Sequence, residues 1–145
     1  MKRFLIYAMS LLFWVGGMAG IPHAMVIKDA AGGTAPVSHP YKRIISLYGA
    51  HTENLFALGL NREIIGVSRH EAYPPEATRK PVFSYHNDAE RFLGAHPDLV
   101  LIRPMIARGY PQLIKKLRKA GITVVSLQPR GIQEMFAYWK TLGML

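Results

Sequence analysis

The sequence predicts an α/β fold in which helices flank a parallel sheet. Short aliphatic and β-branched runs at Ile44–Leu47, Ile64–Val67, Leu99–Ile102 and Ile122–Leu127 carry apolar residues at almost every position, as strands buried on both faces do. Between these runs the apolar spacing changes to that of amphipathic helices, and this alternation is the pattern of a parallel sheet. The chain has 145 residues, 50% hydrophobic and 19% charged, which is enough for one domain with its own core and unlike a disordered composition.

Residues 1–24 read as an export leader. Lys2 and Arg3 precede an apolar run from Phe4 to Val15, and Gly16, Gly17 and Gly20 follow before Pro22, His23 and Ala24. Cleavage is expected after Ala24, with Ala19 as the alternative. A membrane-spanning anchor would need about 20 continuous apolar residues, and the glycines interrupt this run.

From Met25 the elements follow in order. Met25–Ile27 and Thr34–Val37 form a hairpin turned at Gly32-Gly33. The strand around Ile44 and Ile45 ends at Gly49. Thr52 is expected to cap a helix that buries Leu55, Phe56 and Leu58 and closes at Gly59. The strand Ile64–Val67 leads to the loop Tyr73-Pro74-Pro75 and a short strand at Val82–Ser84. Asn87 or Asp88 caps a helix through Leu93, and Asp98 leads into Leu99–Ile102. A helix carrying Leu113, Ile114 and Leu117 stops at Gly121, and Ile122–Leu127 is the last strand. Ile132, Met135, Phe136, Trp139 and Leu142 then recur at helical spacing.

Ligands of parallel α/β sheets bind beyond the carboxyl ends of the strands. Four loops meet that rule: Tyr48–Thr52, Ser68–Pro75, Ser84–Asp88 and Arg103–Tyr110. They carry Tyr48, Arg69, His70, Tyr73, Tyr85, His86, Arg103 and Arg108. Aromatic and arginine side chains suit a flat or anionic ligand through stacking and paired hydrogen bonds to carboxylate or phosphate.

Enzyme chemistry finds little support. No nucleophile elbow, phosphate loop or dinucleotide fingerprint follows a strand. The six His residues include no pair one helical turn apart, and His51, His70, His86 and His96 read as surface or capping residues. The absence of Cys removes disulfides, thiolate zinc sites and a lipidated N-terminal Cys. The net charge is +9, and removal of Lys2 and Arg3 with the leader leaves 16 basic side chains against 9 acidic, or +7. Lys115, Lys116, Arg118 and Lys119 form the solvated face of one helix. With an export leader present, no nucleic-acid partner is expected.

The segments Arg43-Ile-Ile-Ser-Leu, Thr52-Glu-Asn-Leu-Phe-Ala-Leu-Gly-Leu, Ile65-Gly-Val-Ser, Tyr73-Pro-Pro-Glu-Ala and His96-Pro-Asp-Leu-Val-Leu-Ile occur in this order. Together they resemble the N-terminal lobe of periplasmic substrate-binding proteins, and within them those that pass cobalamin, haem or ferric siderophores to ABC importers. The resemblance runs from about Val26 to Leu142. It implies a Rossmann-like lobe of a bilobal class III binding protein over residues 25–130. Residues 131–145 would begin the interlobe helix, with the second lobe absent from this chain.

The resemblance also implies roles. Cobalamin binders carry an aromatic residue a few places before Tyr-Pro-Pro, where this chain has His70. A second cleft aromatic matches Tyr85, and a third falls on Arg103, which favours a ligand with carboxylate, catecholate or hydroxamate oxygens. Tyr73 or Tyr85 would supply an axial ligand to haem, and Tyr48 and Arg108 lie in the same set of loops. Glu90 matches the carboxylate that meets arginines of the membrane permease. The expected protein is a monomeric, non-enzymatic capture component without an intrinsic cofactor or resident metal, free in the periplasm because it has no lipidated Cys. Its ligand would be a ferric siderophore, haem or cobalamin. The alternatives are a zinc or manganese receptor using His70 or His51, and an orphan lobe without transport.

Overall fold

A computed structural model describes residues 25–145, and the leader expected over residues 1–24 lies outside the described residues. The hairpin β1 (Met25–Lys28) and β2 (Thr34–Val37) is antiparallel. Its turn is set by Asp29, whose Oδ1 accepts the Ala31 and Gly33 amides at 2.9 and 2.6 Å, and by Gly32 at φ +85°. There follow β3 (Ile44–Ser46), α1 (Gly49–Ala57), β4 (Ile64–Val67), α2 (Ala89–Ala95), β5 (Leu99–Ile102), α3 (Pro104–Gly109), α4 (Pro111–Lys119), β6 (Thr123–Ser126) and α5 (Ile132–Met144).

Strands β3 to β6 form a four-stranded parallel sheet in the order β4-β3-β5-β6. Alternation along the strands divides its side chains between two cores. Ile44, Leu99, Leu101 and Val125 face α1, α5 and the hairpin, packing with Leu55, Tyr138, Leu142 and Ile27. Ile45, Val100, Ile102 and Val124 face the other way, with Phe92, Ile106, Ile114 and Leu117 of α2, α3 and α4. Both faces are covered, which is why the strands read as continuous apolar runs. The start of the sheet is stapled by Asp98, whose carboxylate accepts the Lys42 and Arg43 amides at 2.7 and 2.9 Å.

The structure corrects several element expectations. Helix α1 begins at Gly49 and not after Thr52: the Tyr48 carbonyl accepts the His51 and Thr52 amides at 2.9 and 3.2 Å, so Thr52 already lies within the first turns. Leu58 is exposed at the C-cap, while Leu55 is fully buried, as are His51 and Thr52 of the same helix. The strand expected at Val82–Ser84 is a single bridge between Val82 and Val67, and a 3-10 turn covers Ala77–Arg79. The region Arg103–Tyr110, read as a loop, is mostly α3. A proline at the first helical position has its φ preset and lacks only an N–H that has no helical partner, so Pro104 starts the helix directly after β5. The helix expected from Ile132 onward is α5; of its spaced apolar residues Leu142 faces the core, together with Tyr138, while Ile132 and Phe136 are 74% and 71% exposed.

Candidate ligand-binding site

The carboxyl ends of β3, β4 and β5 and the Val82 bridge open onto a common cavity of about 430 Å³. Leu47, Tyr48 and Gly49 follow β3, Ser68, Arg69 and His70 follow β4, Phe83 to His86 follow the bridge, and Arg103 follows β5. The loop after β3 is short because α1 starts at once. The loop after β4 is tied to α1 by Glu71, whose Oε1 accepts the Ser68 amide and the Thr52 hydroxyl, each at 3.1 Å. Thr52 Oγ1 is also 2.9 Å from the buried Ser46 hydroxyl at the end of β3. A residue expected to cap a helix thus helps to hold two binding loops together.

The third loop is fixed by a local turn. Asn87 Oδ1 accepts the Ser84 amide at 2.8 Å, and the Ser84 hydroxyl accepts the His86 amide at 3.2 Å. This presents the Tyr85 and His86 rings with centroids 4.5 Å apart. Tyr110, at the junction of α3 and α4, completes the group: its ring centroid lies 4.8 Å from that of Tyr85, and its hydroxyl is 3.0 Å from His86 Nδ1. Gly66 lets this wall approach the sheet, since a Cβ there would clash with the Phe83 ring.

Arg103 is held in extended backbone as the N-cap of α3, a conformation favoured for the residue before a proline. Its guanidinium carbon lies 5.0 Å from the centroid of the Tyr48 ring, a cation–π arrangement, and its Nη2 donates to Met105 Sδ at 3.4 Å. Among the described residues, the ion pairs are Arg118 with Asp29 and Arg130 with Glu134, so no carboxylate neutralises Arg103. The cavity lining contains Arg69 and Arg103 and neither Asp nor Glu.

Behind the cavity, His51 is fully buried, in contrast to the surface or capping place expected for it. Its Nδ1 is 2.7 Å from the Tyr138 hydroxyl and its Nε2 3.1 Å from the Ile102 carbonyl. A carbonyl only accepts, so Nε2 carries the proton and the Tyr138 hydroxyl donates to Nδ1. Burial pushes the His51 pKa down to about 4 and raises that of Tyr138 above the ordinary tyrosine range. With both nitrogens engaged, His51 has no lone pair free for zinc or manganese.

Tyr48, His70, Tyr85 and Arg103 therefore come together, whereas Tyr73 and Arg108 do not line this cavity. Tyr73 is 63% exposed in a separate groove beside Glu53 and Phe56. Arg108 is turned by α3 toward a groove shared with Leu127 and Glu134. Glu90 is exposed in the first turn of α2. His96 closes α2 at φ 48°, a capping role as anticipated. Tyr110 was missed in the sequence. The signal was present in the two prolines, Pro104 and Pro111, which mark consecutive helix starts and leave Tyr110 at the bend between them.

Comparison with known proteins places this architecture. The family described as periplasmic binding protein matches residues 44–145. The chain belongs to that family. This binding-protein chain is 30% identical over 122 residues to the uncharacterized ABC transporter substrate-binding lipoprotein YvrC of Bacillus subtilis, covering 83% of this chain and 38% of that protein. It is 34% identical over 98 residues to the vitamin B12-binding protein of Vibrio cholerae, covering 66% and 35%. The crystal structure of the heme binding protein HmuT superposes with a TM-score of 0.68 at 26% identity, covering 83% of this chain and 40% of that one. The chain thus spans under half the length of these relatives, and its sheet is that of a class III binding-protein lobe. These relatives are binding proteins and not enzymes.

Proposed function

We propose that this chain is the ligand-capturing lobe of the substrate-binding component of an ABC importer, acting in the periplasm on a metal chelate such as a ferric siderophore, haem or a cobalamin. The observation that carries this reading is Arg103, an unneutralised guanidinium stacked on Tyr48 at the mouth of a cavity lined by aromatic rings and without a carboxylate among its lining residues. Such a surface offers flat apolar area to a macrocycle and a charge-assisted bond to peripheral carboxylate or catecholate oxygen. The binding of vitamin B12 and haem by the named relatives supports the same ligand class. Capture by the loops, closure of an opposing lobe and docking of Glu90 on permease arginines complete the proposed cycle.

Titration of the purified chain with hemin, a ferric catecholate chelate and cyanocobalamin, followed by Trp139 and tyrosine fluorescence, tests the reading. Quenching by at least one is expected. The Arg103→Ala variant is expected to bind the carboxylate-bearing or catecholate ligand about 10- to 100-fold more weakly, the loss of one charged hydrogen bond. No quenching by any of the three overturns the ligand class.

A further inference from the structure

We propose that His51 is a positioning residue that couples α5 to the ligand-facing cation, an inference that rests on Arg103 meeting ligand as proposed above. Four groups form a continuous line through the molecule. The Tyr138 hydroxyl, on α5, donates to His51 Nδ1 at 2.7 Å. His51 Nε2–H is fixed on the Ile102 carbonyl, one residue before Arg103, at 3.1 Å. The His51 ring meets the Tyr48 ring edge to face, with centroids 5.1 Å apart and planes at 86°. The opposite end of the line is the Arg103 guanidinium, 5.0 Å from the Tyr48 centroid.

His51 thus holds Arg103 in two ways, through the ring on which the guanidinium rests and through the backbone from which it springs. A side chain of matching volume without nitrogens would fill the space but fix neither the Ile102 carbonyl nor the Tyr138 hydroxyl. A second attachment ties α5 to α1, Trp139 Nε1 donating to Asn54 Oδ1 at 2.7 Å. A shift of α5 then moves His51, the Tyr48 ring and the cation together, and ligand seated on Arg103 restrains α5 in return. The energetic link is a chain of four side chains in contact.

The coupling has a signature that needs no ligand. Protons of the Arg103 side chain lie over the Tyr48 ring, so their NMR resonances in the full chain are displaced upfield by the ring current. Tyr48→Leu gives the reference without that displacement. His51→Leu and Tyr138→Phe are each expected to move the Arg103 resonances toward the Tyr48→Leu values, with Tyr138→Phe serving as the mild variant that retains the fold. In hemin titrations both variants are expected to weaken binding roughly 3-fold or more, and to have no such effect in the Arg103→Ala background. Arg103 resonances unchanged in both variants overturn the coupling, as do equal hemin affinities of the wild type and both variants. Failure of hemin, the ferric catecholate and cyanocobalamin to bind the wild type overturns the reading of the cavity alone, while the resonance comparison still decides the coupling.

Discussion

His51 shows how one buried side chain can set a pH response. Its pKa is about 4 in the folded protein and near 6.5 in an unfolded chain. As pH falls through this window the unfolded ensemble takes up the proton first, so stability present at neutral pH declines between about pH 6.5 and 4, by an amount on the order of 3 kcal/mol. Urea unfolding at pH 7 and pH 4.5 is expected to show this loss in the wild type and a smaller one in His51→Gln; equal losses would assign the response to other groups. The sequence marks the burial of His51 only through Leu55, four positions on and on the same face of α1, a spacing hidden as long as the helix is expected to start at Thr52. Its partners Ile102 and Tyr138 are 51 and 87 positions away. By contrast Tyr48, His70, Tyr85 and Arg103 were legible as neighbours, because each directly follows a strand-like run and parallel strands place their carboxyl ends together.

At the scale of elements, β4 illustrates a close approach that its sequence only hints at. The pairing of β3 with β4 shifts between Ile44 and Ile45, so that Ile44 faces Ile64 while Ile45 faces Gly66. The Phe83 ring, packed on Phe92 with centroids 5.3 Å apart, occupies the space where a Gly66 side chain would stand. Gly66→Ala is expected to cost about 1 to 3 kcal/mol by overpacking, measured by chemical unfolding, and part of that loss is expected to be recovered by Phe83→Leu. The strands were read well because burial on both faces leaves a strong apolar signal. Helix starts were read less well: Thr52 has the chemistry of a cap, yet its hydroxyl serves Glu71, and the true start falls on Gly49 with no side-chain cap. Pro104 and Pro111 mark starts by backbone restriction, a signal hidden among loop-like residues.

For the molecule as a whole, α5 is a wall of the lobe. Tyr138, Leu142 and Leu145 are buried in the core that contains Ile44, Leu55 and Leu101, and the Leu145 carbonyl accepts the Tyr41 amide at 2.7 Å. Leu142→Ala is expected to destabilise the fold by about 2 to 5 kcal/mol, the range for emptying a fully buried leucine site, as read from the midpoint of urea unfolding. A change of less than 1 kcal/mol would mean that α5 packs loosely. Of the helically spaced residues Ile132, Met135, Phe136, Trp139 and Leu142, Leu142 is buried while Ile132 and Phe136 are exposed, because periodicity reports that a helix has an apolar side and not which neighbour covers it.

The hairpin at the start of the described chain also shields part of the sheet edge. Strand β2 lies near β6, and the Ala30 amide donates to the Ser126 carbonyl at 2.7 Å, so the hairpin covers the end of the outer strand. At the opposite rim, Val67 exchanges hydrogen bonds with Pro81 and Phe83 at 2.9 and 2.8 Å. These contacts shorten the free edge at each rim, a device that limits extension of an aliphatic-rich ladder by another chain.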